Sequence, residues 1–353
     1  MDGARKIRVL IVDDSAIVRR TLSEMVSSQP DMEVVGTAPD PFVARDKILA
    51  LHPDVVTLDI EMPRMDGLTF LKKVMRFHPL PVIVISSLGQ ASSSAAIEAL
   101  QSGAVDVVAK PSGPYSVNDL REQLALKIRG ASQASLRKPA PNAAPLPPAA
   151  QTPIATVSSV SLIAIGASTG GVEALRTVLT DLPEHMPPVV IVQHIPPVFS
   201  AEFARRLDKT CRIRVKEAQD GDALQPGRAL IAPGNFHLTV RKLGDGFRAV
   251  VQDGPKVQYQ RPAVDVLFES VAKVACPSAA GVILTGMGAD GAAGLLAMKL
   301  AGAQTIAQNE ASCVVFGMPR EAIVRGAVDQ ILPLDRIGAV LSRYALAKPS
   351  LAL

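Results

Sequence analysis

Ser168 lies in a turn of small residues, Gly166-Ala167-Ser168-Thr169-Gly170-Gly171, that follows an apolar run beginning at Leu162. This pattern predicts a strand, a tight turn and a helix. Backbone N–H groups at the start of such a helix can bind a phosphate or the oxyanion of an acyl-transfer intermediate. Taken alone, the turn favours a phosphate cradle, so the choice depends on the residues predicted to lie beside it.

A serine becomes a useful nucleophile when an imidazole takes its proton and a carboxylate orients that imidazole. His194 ends the apolar run of residues 189–193, which places it on the same predicted sheet edge as Ser168. Asp290 lies in a glycine-rich loop after another apolar run, residues 282–284, and belongs to that edge as well. We therefore predict a triad of Ser168, His194 and Asp290.

Two alternatives compete with this triad. Residues 166–170 match the G-x-S-x-G turn of α/β-hydrolases, but that order of residues would require Asp220 or Asp222 with His237, and neither acid follows a buried strand. A nucleotide site is disfavoured because the turn is neither G-x-G-x-x-G nor a P-loop, and His194 stands where an acidic residue would bind a ribose. A histidine or aspartate at such a position is often only structural; the combination of the three residues favours catalysis.

Polar residues also follow the apolar runs of the first half, and they are Asp13 and Asp14, Asp59, Ser86 with Ser87, and Lys110. Any one of these aspartates alone is more typical of a helix cap. Converging carboxylates repel one another at neutral pH, and a hard cation such as Mg²⁺ relieves that repulsion. A carboxylate beside Mg²⁺, a hydroxyl and an ammonium can accept a phosphoryl group. Asp59, on the central predicted strand, is the best acceptor.

Both halves of the chain alternate short β-branched runs with amphipathic stretches, which predicts parallel sheets covered by helices. Strands are predicted at residues 9–12, 33–36, 55–58, 82–85 and 106–109, and then at 162–165, 189–193, 229–231, 281–284 and 304–307. Helices of the second half are predicted at 171–180, 199–208, 264–275 and 291–300, and a β-hairpin at 238–241 and 247–251. The predicted fold class is α/β, with a flavodoxin-like doubly wound domain followed by a Rossmann-like doubly wound domain that carries the hairpin.

The predicted domains span residues 5–130 and 160–349. Residues 131–159 between them are rich in Pro and Ala, which is typical of an extended, semi-rigid linker. Such a linker would allow the two domains to dock in a way that can be switched.

Composition bounds the function further. The 353 residues include no Trp and only 3% aromatic residues, which disfavours base-stacking sites for nucleic acid, and the net charge of +4 comes from interspersed charges. Three distant cysteines indicate neither disulfides nor structural zinc. The sequence shows no signal peptide and no apolar run of membrane-spanning length. We expect a cytoplasmic monomer with no nucleic-acid partner and no membrane insertion.

The polar strand ends of the first half resemble the receiver domain of two-component response regulators over residues 5–130. The resemblance implies phosphorylation of Asp59 and Mg²⁺ held by Asp13, Asp14 and Asp59. It also implies that Ser86 senses the phosphoryl group, that Lys110 pairs with it, and that the Lys110-Pro111 peptide bond is cis.

Together with the linker, Ser168, His194 and the 286–291 loop, this receiver resembles the chemotaxis response-regulator protein-glutamate methylesterase family over nearly the whole chain. The resemblance implies hydrolysis of glutamyl methyl esters, and deamidation of glutamines, on the cytoplasmic helices of chemoreceptors. Ser168 would be the nucleophile, His194 the base and Asp290 its orienting acid, with backbone N–H groups near Thr169 and Met287 holding the oxyanion. No cofactor is implied for the second domain.

The same resemblance implies a chemotaxis histidine kinase as phosphodonor, and a first domain that covers the Ser168 edge until Asp59 is phosphorylated. An alternative from a different class is a response regulator with a DNA-binding or nucleotide-binding output domain. The strand-helix alternation of the second half and its lack of a clustered basic face disfavour DNA binding.

Overall fold

The structure is a computed structural model that describes residues 5–110, 117–136 and 160–345. Most of the predicted linker, from residue 137 to residue 159, lies outside the described residues, and so does Pro111, whose peptide bond with Lys110 is predicted to be cis. Within the described residues, no helix is both long enough and apolar enough to cross a bilayer.

The first domain is a five-stranded parallel sheet with helices on both faces. Its strands are β1 (Ile7–Val12), β2 (Met32–Ala38), β3 (Val55–Asp59), β4 (Val82–Ser86) and β5 (Asp106–Ala109). Its helices are α1 (Ala16–Ser27), α2 (Pro41–Leu51), α3 (Gly67–Phe77), α4 (Gln90–Gln101) and α5 (Val117–Ser132). The strand order β2-β1-β3-β4-β5 is the flavodoxin-like order, which confirms the predicted class.

The second domain is built on a seven-stranded parallel sheet of order β14-β13-β12-β6-β7-β9-β8, beside a two-stranded antiparallel hairpin. The sheet strands are β6 (Leu162–Ala167), β7 (Val189–Gln193), β8 (Arg214–Glu217), β9 (Arg228–Ile231), β12 (Ala279–Ile283), β13 (Gln304–Gln308) and β14 (Gln330–Leu332), and the hairpin strands are β10 (His237–Leu243) and β11 (Gly246–Gln252). The helices are α6 (Gly171–Thr180), α7 (Phe199–Asp208), α8 (Val264–Val274), α9 (Ala292–Leu300), α10 (Met318–Val324) and α11 (Leu334–Leu341).

The sequence predicted the central strands, because each is an apolar run buried on both faces of its sheet. It missed both edge strands of the second sheet. β8 reads Arg-Val-Lys-Glu and β14 is only three residues long and half-exposed, so neither offers an apolar run. The short helices α10 and α11 near the C-terminus were missed as well.

The two domains contact each other directly. Helix α4 of the first domain packs against α6 and α7 of the second, and buried apolar side chains of both domains form one continuous cluster. Helix α5 ends at Ser132, two residues past the predicted boundary, and Ser135 then donates a backbone hydrogen bond to Val314 of the second domain. The first domain is therefore docked on the second.

Candidate functional sites

The second sheet brings three strand ends together. β6 lies between β12 and β7, and the chain continues to strands on both sides of it. In a doubly wound sheet, ligands bind at the carboxyl end of the strands where the strand order reverses in this way. Ser168 follows β6 directly and His194 follows β7 directly, while Asp290 lies in the loop between β12 and α9. All three residues are buried. The sheet therefore brings the predicted triad residues to one edge.

His194 and Asp290 form a buried pair. His194 Nε2 lies 2.8 Å from Asp290 Oδ2, so in the neutral imidazole this nitrogen carries the proton and donates it to the carboxylate. Nδ1, the other ring nitrogen, is buried and has no hydrogen-bond partner among the described residues. The ring therefore presents an acceptor nitrogen, and the carboxylate fixes which nitrogen that is.

Asp290 also caps a helix. Its carboxylate accepts backbone N–H groups from Val264 (2.7 Å) and Asp265 (2.9 Å), the first two residues of α8. Burial favours the neutral acid, but the hydrogen bond and charge of His194 and these backbone donors outweigh burial, so the pKa of Asp290 is held below its usual range. Asp290 is therefore ionised at neutral pH and cannot rotate without breaking the helix cap.

Asp265 makes the reciprocal contact and was missed by the sequence analysis. Its carboxylate accepts the backbone N–H of Gly294 in α9 (2.8 Å) and the side-chain amide of Gln258 (2.7 Å). Asp290, just before α9, thus caps the N-terminus of α8, and Asp265, in α8, caps the N-terminus of α9. An aspartate at the second position of a predicted helix was the available signal, since acids are favoured there, but the sequence could not reveal its partner helix.

The turn that carries Ser168 is fixed by its backbone. Ser168 N donates to Thr285 O (3.0 Å), and the carbonyl of Ser168 accepts from Gly171 N (2.7 Å) and from the side-chain amide of Gln193 (2.8 Å). Gly286 lies against Ser168 so closely that an added Cβ would be 2.7 Å from the serine Cβ, which explains the glycine. The Ser168 hydroxyl itself donates no hydrogen bond to a described residue, and it lines the same cavity as His194.

Thr169 and Met287 border the same cavity, which has a volume of about 140 Å³ and is called the Ser168 cleft below. Both residues also touch the first domain. The Thr169 hydroxyl donates to Asp106 Oδ2 of the first domain (2.7 Å), and an added Cβ on Gly130 of α5 would lie 3.3 Å from Met287 Cβ. The docked first domain therefore covers this side of the cleft.

The alternative triad of His237 with Asp220 or Asp222 is not assembled. His237 Nε2 hydrogen-bonds the carbonyl of Pro255, and its Nδ1 accepts the backbone N–H of Ala263. Asp222 pairs with Lys216, and Asp220 accepts the backbone N–H of Val251. These side chains have structural partners instead of each other.

The predicted acidic site of the first domain is assembled at its sheet edge. Asp13, Asp14 and Asp59 each offer a carboxylate oxygen, and these oxygens lie within 4.8 Å of one another. Lys110 Nζ lies 2.7 Å from Asp59 Oδ2 and 3.2 Å from Asp13 Oδ2. We call these four residues the acidic pocket; their oxygen ligands and spacing suit a hard divalent cation.

Burial dominates the ionisation of the acidic pocket. It raises the pKa of Asp59 to about 6 despite the opposing hydrogen bond and charge of Lys110, and the nearby Asp13 raises it further. Burial lowers the pKa of Lys110, but its hydrogen bond and charge contact with Asp59 outweigh that effect and raise the pKa overall. One ammonium therefore does not fully offset the clustered carboxylates, and a bound cation would complete the compensation.

Ser86 is fully buried at the end of β4, and its hydroxyl donates to the carbonyl of Ser92 (3.3 Å). Next to it, the Ser87 hydroxyl donates to Ser92 Oγ (2.7 Å), and Ser92 in turn bonds Glu61. Ser92 belongs to α4, one of the elements that pack on the second domain. A continuous hydrogen-bonded path therefore leads from the β4 end to the docking helix.

Comparisons with known proteins agree with this architecture. A family model described as the CheB methylesterase matches residues 163–341, and one described as the response regulator receiver domain matches residues 9–124. A protein-glutamate methylesterase/protein-glutamine glutaminase 2 from Syntrophus aciditrophicus is 56% identical over 340 residues, covering 96% of this chain and 99% of that protein. A protein-glutamate methylesterase/protein-glutamine glutaminase from Salmonella typhimurium is 54% identical over 347 residues, with 98% and 97% covered.

A crystal structure of the Thermotoga maritima CheB methylesterase catalytic domain aligns with a TM-score of 0.51 and 39% identity, over 53% of this chain and 99% of that one. The comparisons confirm the predicted resemblance and do not favour a DNA-binding or nucleotide-binding output domain. The chain therefore belongs to the CheB methylesterase family, with a response-regulator receiver domain ahead of the methylesterase domain.

Proposed function

We propose that this protein is a phosphorylation-activated serine hydrolase that removes methyl groups from esterified glutamates of chemoreceptors and deamidates receptor glutamines. The observation that carries the proposal is the buried pair of His194 and Asp290 at the strand ends beside Ser168. The names of the relatives, protein-glutamate methylesterase/protein-glutamine glutaminase, supply the substrate class.

In the acylation step, Ser168 Oγ attacks the ester carbonyl while its proton passes to His194 Nδ1, the nitrogen that Asp290 leaves unpaired. The resulting imidazolium keeps its Nε2–H on the ionised Asp290, which stabilises the positive charge. Backbone N–H groups near Thr169 and Met287 hold the oxyanion, since both residues border the cleft. Collapse of the intermediate transfers the Nδ1 proton to the departing methoxide, and methanol leaves.

Deacylation repeats these steps with water as the nucleophile and Ser168 as the leaving group, and it yields a glutamate. With a glutamine substrate the same steps release ammonia. Both reactions therefore require one site and differ only in the leaving group.

The receiver domain gates this site in the proposed cycle. A chemotaxis histidine kinase is the phosphodonor, and Asp59 is the acceptor. Mg²⁺ held by Asp13, Asp14 and Asp59 would neutralise the oxygens of the transferring phosphoryl group. Lys110 pairs with the phosphoryl group and Ser86 responds to it, and the Ser92 contact offers a route from there to α4. Loss of the docked arrangement would then expose Ser168.

The remaining assignments follow from this role. Receptors present their methylated helices in the cytoplasm, which is where the protein would act, as a monomer. The functional domains are proposed to span residues 5–130 and 160–349, joined by the linker at 131–159.

The direct test compares the full-length protein with Ser168→Ala on receptor carrying labelled methyl groups, with and without a small-molecule phosphodonor and Mg²⁺. We expect the wild type to release labelled methanol, faster with phosphodonor, and the variant to release none while still being phosphorylated. Methanol release by Ser168→Ala would disprove the triad. Equal rates with and without phosphodonor would disprove the gating.

A second test removes residues 1 to about 150. If the receiver acts by covering the cleft, the isolated second domain should release methanol faster than the unphosphorylated full-length protein. A truncated protein that folds but is no faster would show that occlusion is not the mechanism.

A further inference from the structure

Backbone strain in the second domain is concentrated around the Ser168 cleft. Among the described residues of that domain, four non-glycine residues have a positive φ: Val198 (72°), Asn235 (68°), Gln258 (48°) and Tyr259 (65°). Asn235 and Tyr259 line the cleft, Val198 adjoins the lining residue Pro197, and Gln258 adjoins Tyr259. Such conformations are disfavoured and persist where the surrounding structure enforces them, often at functional sites.

Two of these four residues, Gln258 and Tyr259, lie in one turn, Val257–Gln260. The two end residues exchange backbone hydrogen bonds of 3.0 and 2.9 Å, so Gln258 and Tyr259 are the central residues of a tight hairpin turn. With positive φ at both central positions, this is a turn in which Gly, Asn and Asp are strongly preferred. Here Tyr occupies the tip, and its side chain is 68% exposed.

Hydrogen bonds on both sides fix the Val257–Gln260 turn, and one of them leads to the residues around Asp290. Gln258 donates its side-chain amide to Asp265. The Asp265 carboxylate caps α9, and its backbone N–H donates to Asp290. At the other end, Arg261 donates to Asn235 Oδ1 (2.8 and 3.2 Å), and Asn235 N donates to Arg261 O (3.1 Å). The position of Tyr259 is therefore fixed relative to the catalytic carboxylate.

Two neighbouring loops are joined to this one. Gly234 lies against Pro197 so closely that an added Cβ would be 2.4 Å from Pro197 N, and Gly234 N donates to Ser200 Oγ (3.0 Å). Residues 195–200, 233–237 and 257–262 thus form one connected rim, which we call the rim loops. Exposed apolar side chains stand on all three, namely Val198, Phe236 and Tyr259.

The second domain lines the cleft inside the rim loops with two basic residues, Lys256 and Arg261, and with no acidic residue among the described lining residues. Arg261 also pairs with Asp253. The other two lining cations, Lys110 and Lys127, belong to the first domain, where they pair with Asp59 and Asp106. Ser168 follows β6 directly and lies inside the rim, and it is 7% exposed while the first domain is docked. A glutamyl side chain that reaches it would leave the chain that carries it resting on the rim. A protein segment with carboxylates near its ester and an apolar patch complements this surface.

We propose that the rim loops are a preformed docking platform for the segment of the protein substrate that carries the esterified glutamate, with Tyr259 as its principal contact. This proposal rests on the proposed esterase function and adds how the substrate is recognised. Preorganisation of an exposed tyrosine lowers the entropy cost of binding, and tyrosine is enriched among the dominant contacts of protein interfaces.

The test uses Tyr259→Asn in the full-length protein with phosphodonor and Mg²⁺ present, because asparagine tolerates a positive φ but lacks the ring. Two rates are measured: methanol release from a methylated cytoplasmic receptor fragment, and labelling of Ser168 by a small fluorophosphonate. We expect kcat/KM for the fragment to fall about tenfold or more, chiefly through KM, while the labelling rate stays within about twofold. Leu300→Ala, which removes a side chain 80% exposed at the far end of α9, is the control and should change neither rate.

Three outcomes are informative against the proposal. An unchanged kcat/KM for the fragment would overturn it, and so would a parallel loss of fluorophosphonate labelling, which would mean that the turn acts on the triad. A wild-type protein that is labelled at Ser168 but releases no methanol would overturn the proposed function, and the platform with it. Tyr259→Gly should repeat the kcat/KM loss while the unfolding temperature rises, because glycine relieves the positive φ; a lower unfolding temperature would contradict the strain argument.

Discussion

Asp59 of the receiver domain and Asp290 of the methylesterase domain lie at the same edge of their sheets, but their pKa values are shifted in opposite directions. Each stands at the carboxyl edge of a buried parallel sheet, and each is almost fully buried, with 0% and 3% of its surface exposed. Burial raises the pKa of both. The net pKa of Asp59 is nonetheless raised, to about 6, whereas that of Asp290 is lowered.

The difference comes from the hydrogen-bond donors. Asp290 accepts from His194 and from two backbone N–H groups at the start of α8. The neighbouring Asp265 is the carboxyl of that pair whose pKa is raised, first by its burial and also by the charge of Asp290. Asp59 accepts from Lys110 and from the backbone N–H of Glu61, and it faces Asp13. A carboxylate that is compensated by internal donors can hold an imidazolium, whereas one that is only partly compensated suits a bound cation.

The largest effect is expected for Asp290→Asn, which keeps the shape and removes the charge. The imidazole loses both its fixed tautomer and the stabilisation of its charged form, so methanol release should fall about 10³- to 10⁴-fold. The measurement is kcat on methylated receptor in the phosphorylated state. A loss smaller than about tenfold would mean that Asp290 is only a helix cap.

The same variant tests the lowered pKa. A carboxyl whose folded pKa lies below its unfolded value of 3.8 stabilises the fold above that value and loses the contribution as pH falls. Wild-type unfolding temperatures should therefore drop more steeply below about pH 4 than those of Asp290→Asn. Parallel curves would contradict the compensation described for Asp290.

Asp59→Asn should act in the opposite direction on stability. With a folded pKa of about 6 against 3.8 unfolded, the carboxyl binds its proton more tightly in the folded state, so ionisation costs stability increasingly as pH rises through about 6. At pH 7.5 without divalent cations the variant should be more stable by as much as about 3 kcal/mol, measured by chemical denaturation. Mg²⁺ should stabilise the wild type and have a smaller effect on the variant. A less stable variant would show that Lys110 compensates Asp59 fully.

Asp265→Ala tests whether the reciprocal caps keep Asp290 in place. Removing the carboxylate leaves Gly294 N without its acceptor and frees Gln258, which should cost about 1–2 kcal/mol of stability. Loss of alignment at Asp290 should lower kcat roughly tenfold. Release of Gln258 should also raise KM, because its bond to Asp265 holds the turn that carries Tyr259. Glu269→Gln, an exposed position on the same helix, is the matched control. Unchanged kcat in Asp265→Ala would limit its role to folding.

The smallest expected effect concerns the contact that joins the two regions. Arg206 donates to Glu202 within α7 and also crosses to Ser94 and Gln101 of α4. Its neighbour Arg205 binds Glu202 and no other residue that the structure describes. Arg206→Ala should weaken docking by about 1–2 kcal/mol and raise unphosphorylated activity several-fold. Arg205→Ala should leave that activity unchanged. If both variants behave alike, the effect belongs to Glu202 and not to the domain interface.

The sequence predicted where most of the candidate site residues lie, because strand ends are local features. An apolar run followed directly by Asp13, Asp59, Ser168 or His194 identifies a residue at the edge of a parallel sheet without knowledge of the strand order. Helices α6 and α7 also begin and end where their sequence predicts. The edge strands β8 and β14 escaped prediction because half-exposed strands lack a continuous apolar run.

What the sequence determined by itself was the set of candidate side chains at the strand ends and the two α/β domains, because residue type and periodicity can be read along the chain. Tertiary structure decided which nitrogen of His194 faces Asp290, that Asp290 and Asp265 cap each other's helices, and that Asp106 reaches Thr169 across the domain boundary. Those contacts join residues between about 25 and 96 positions apart, and their partners are chosen by how helices and domains pack, which no local pattern records.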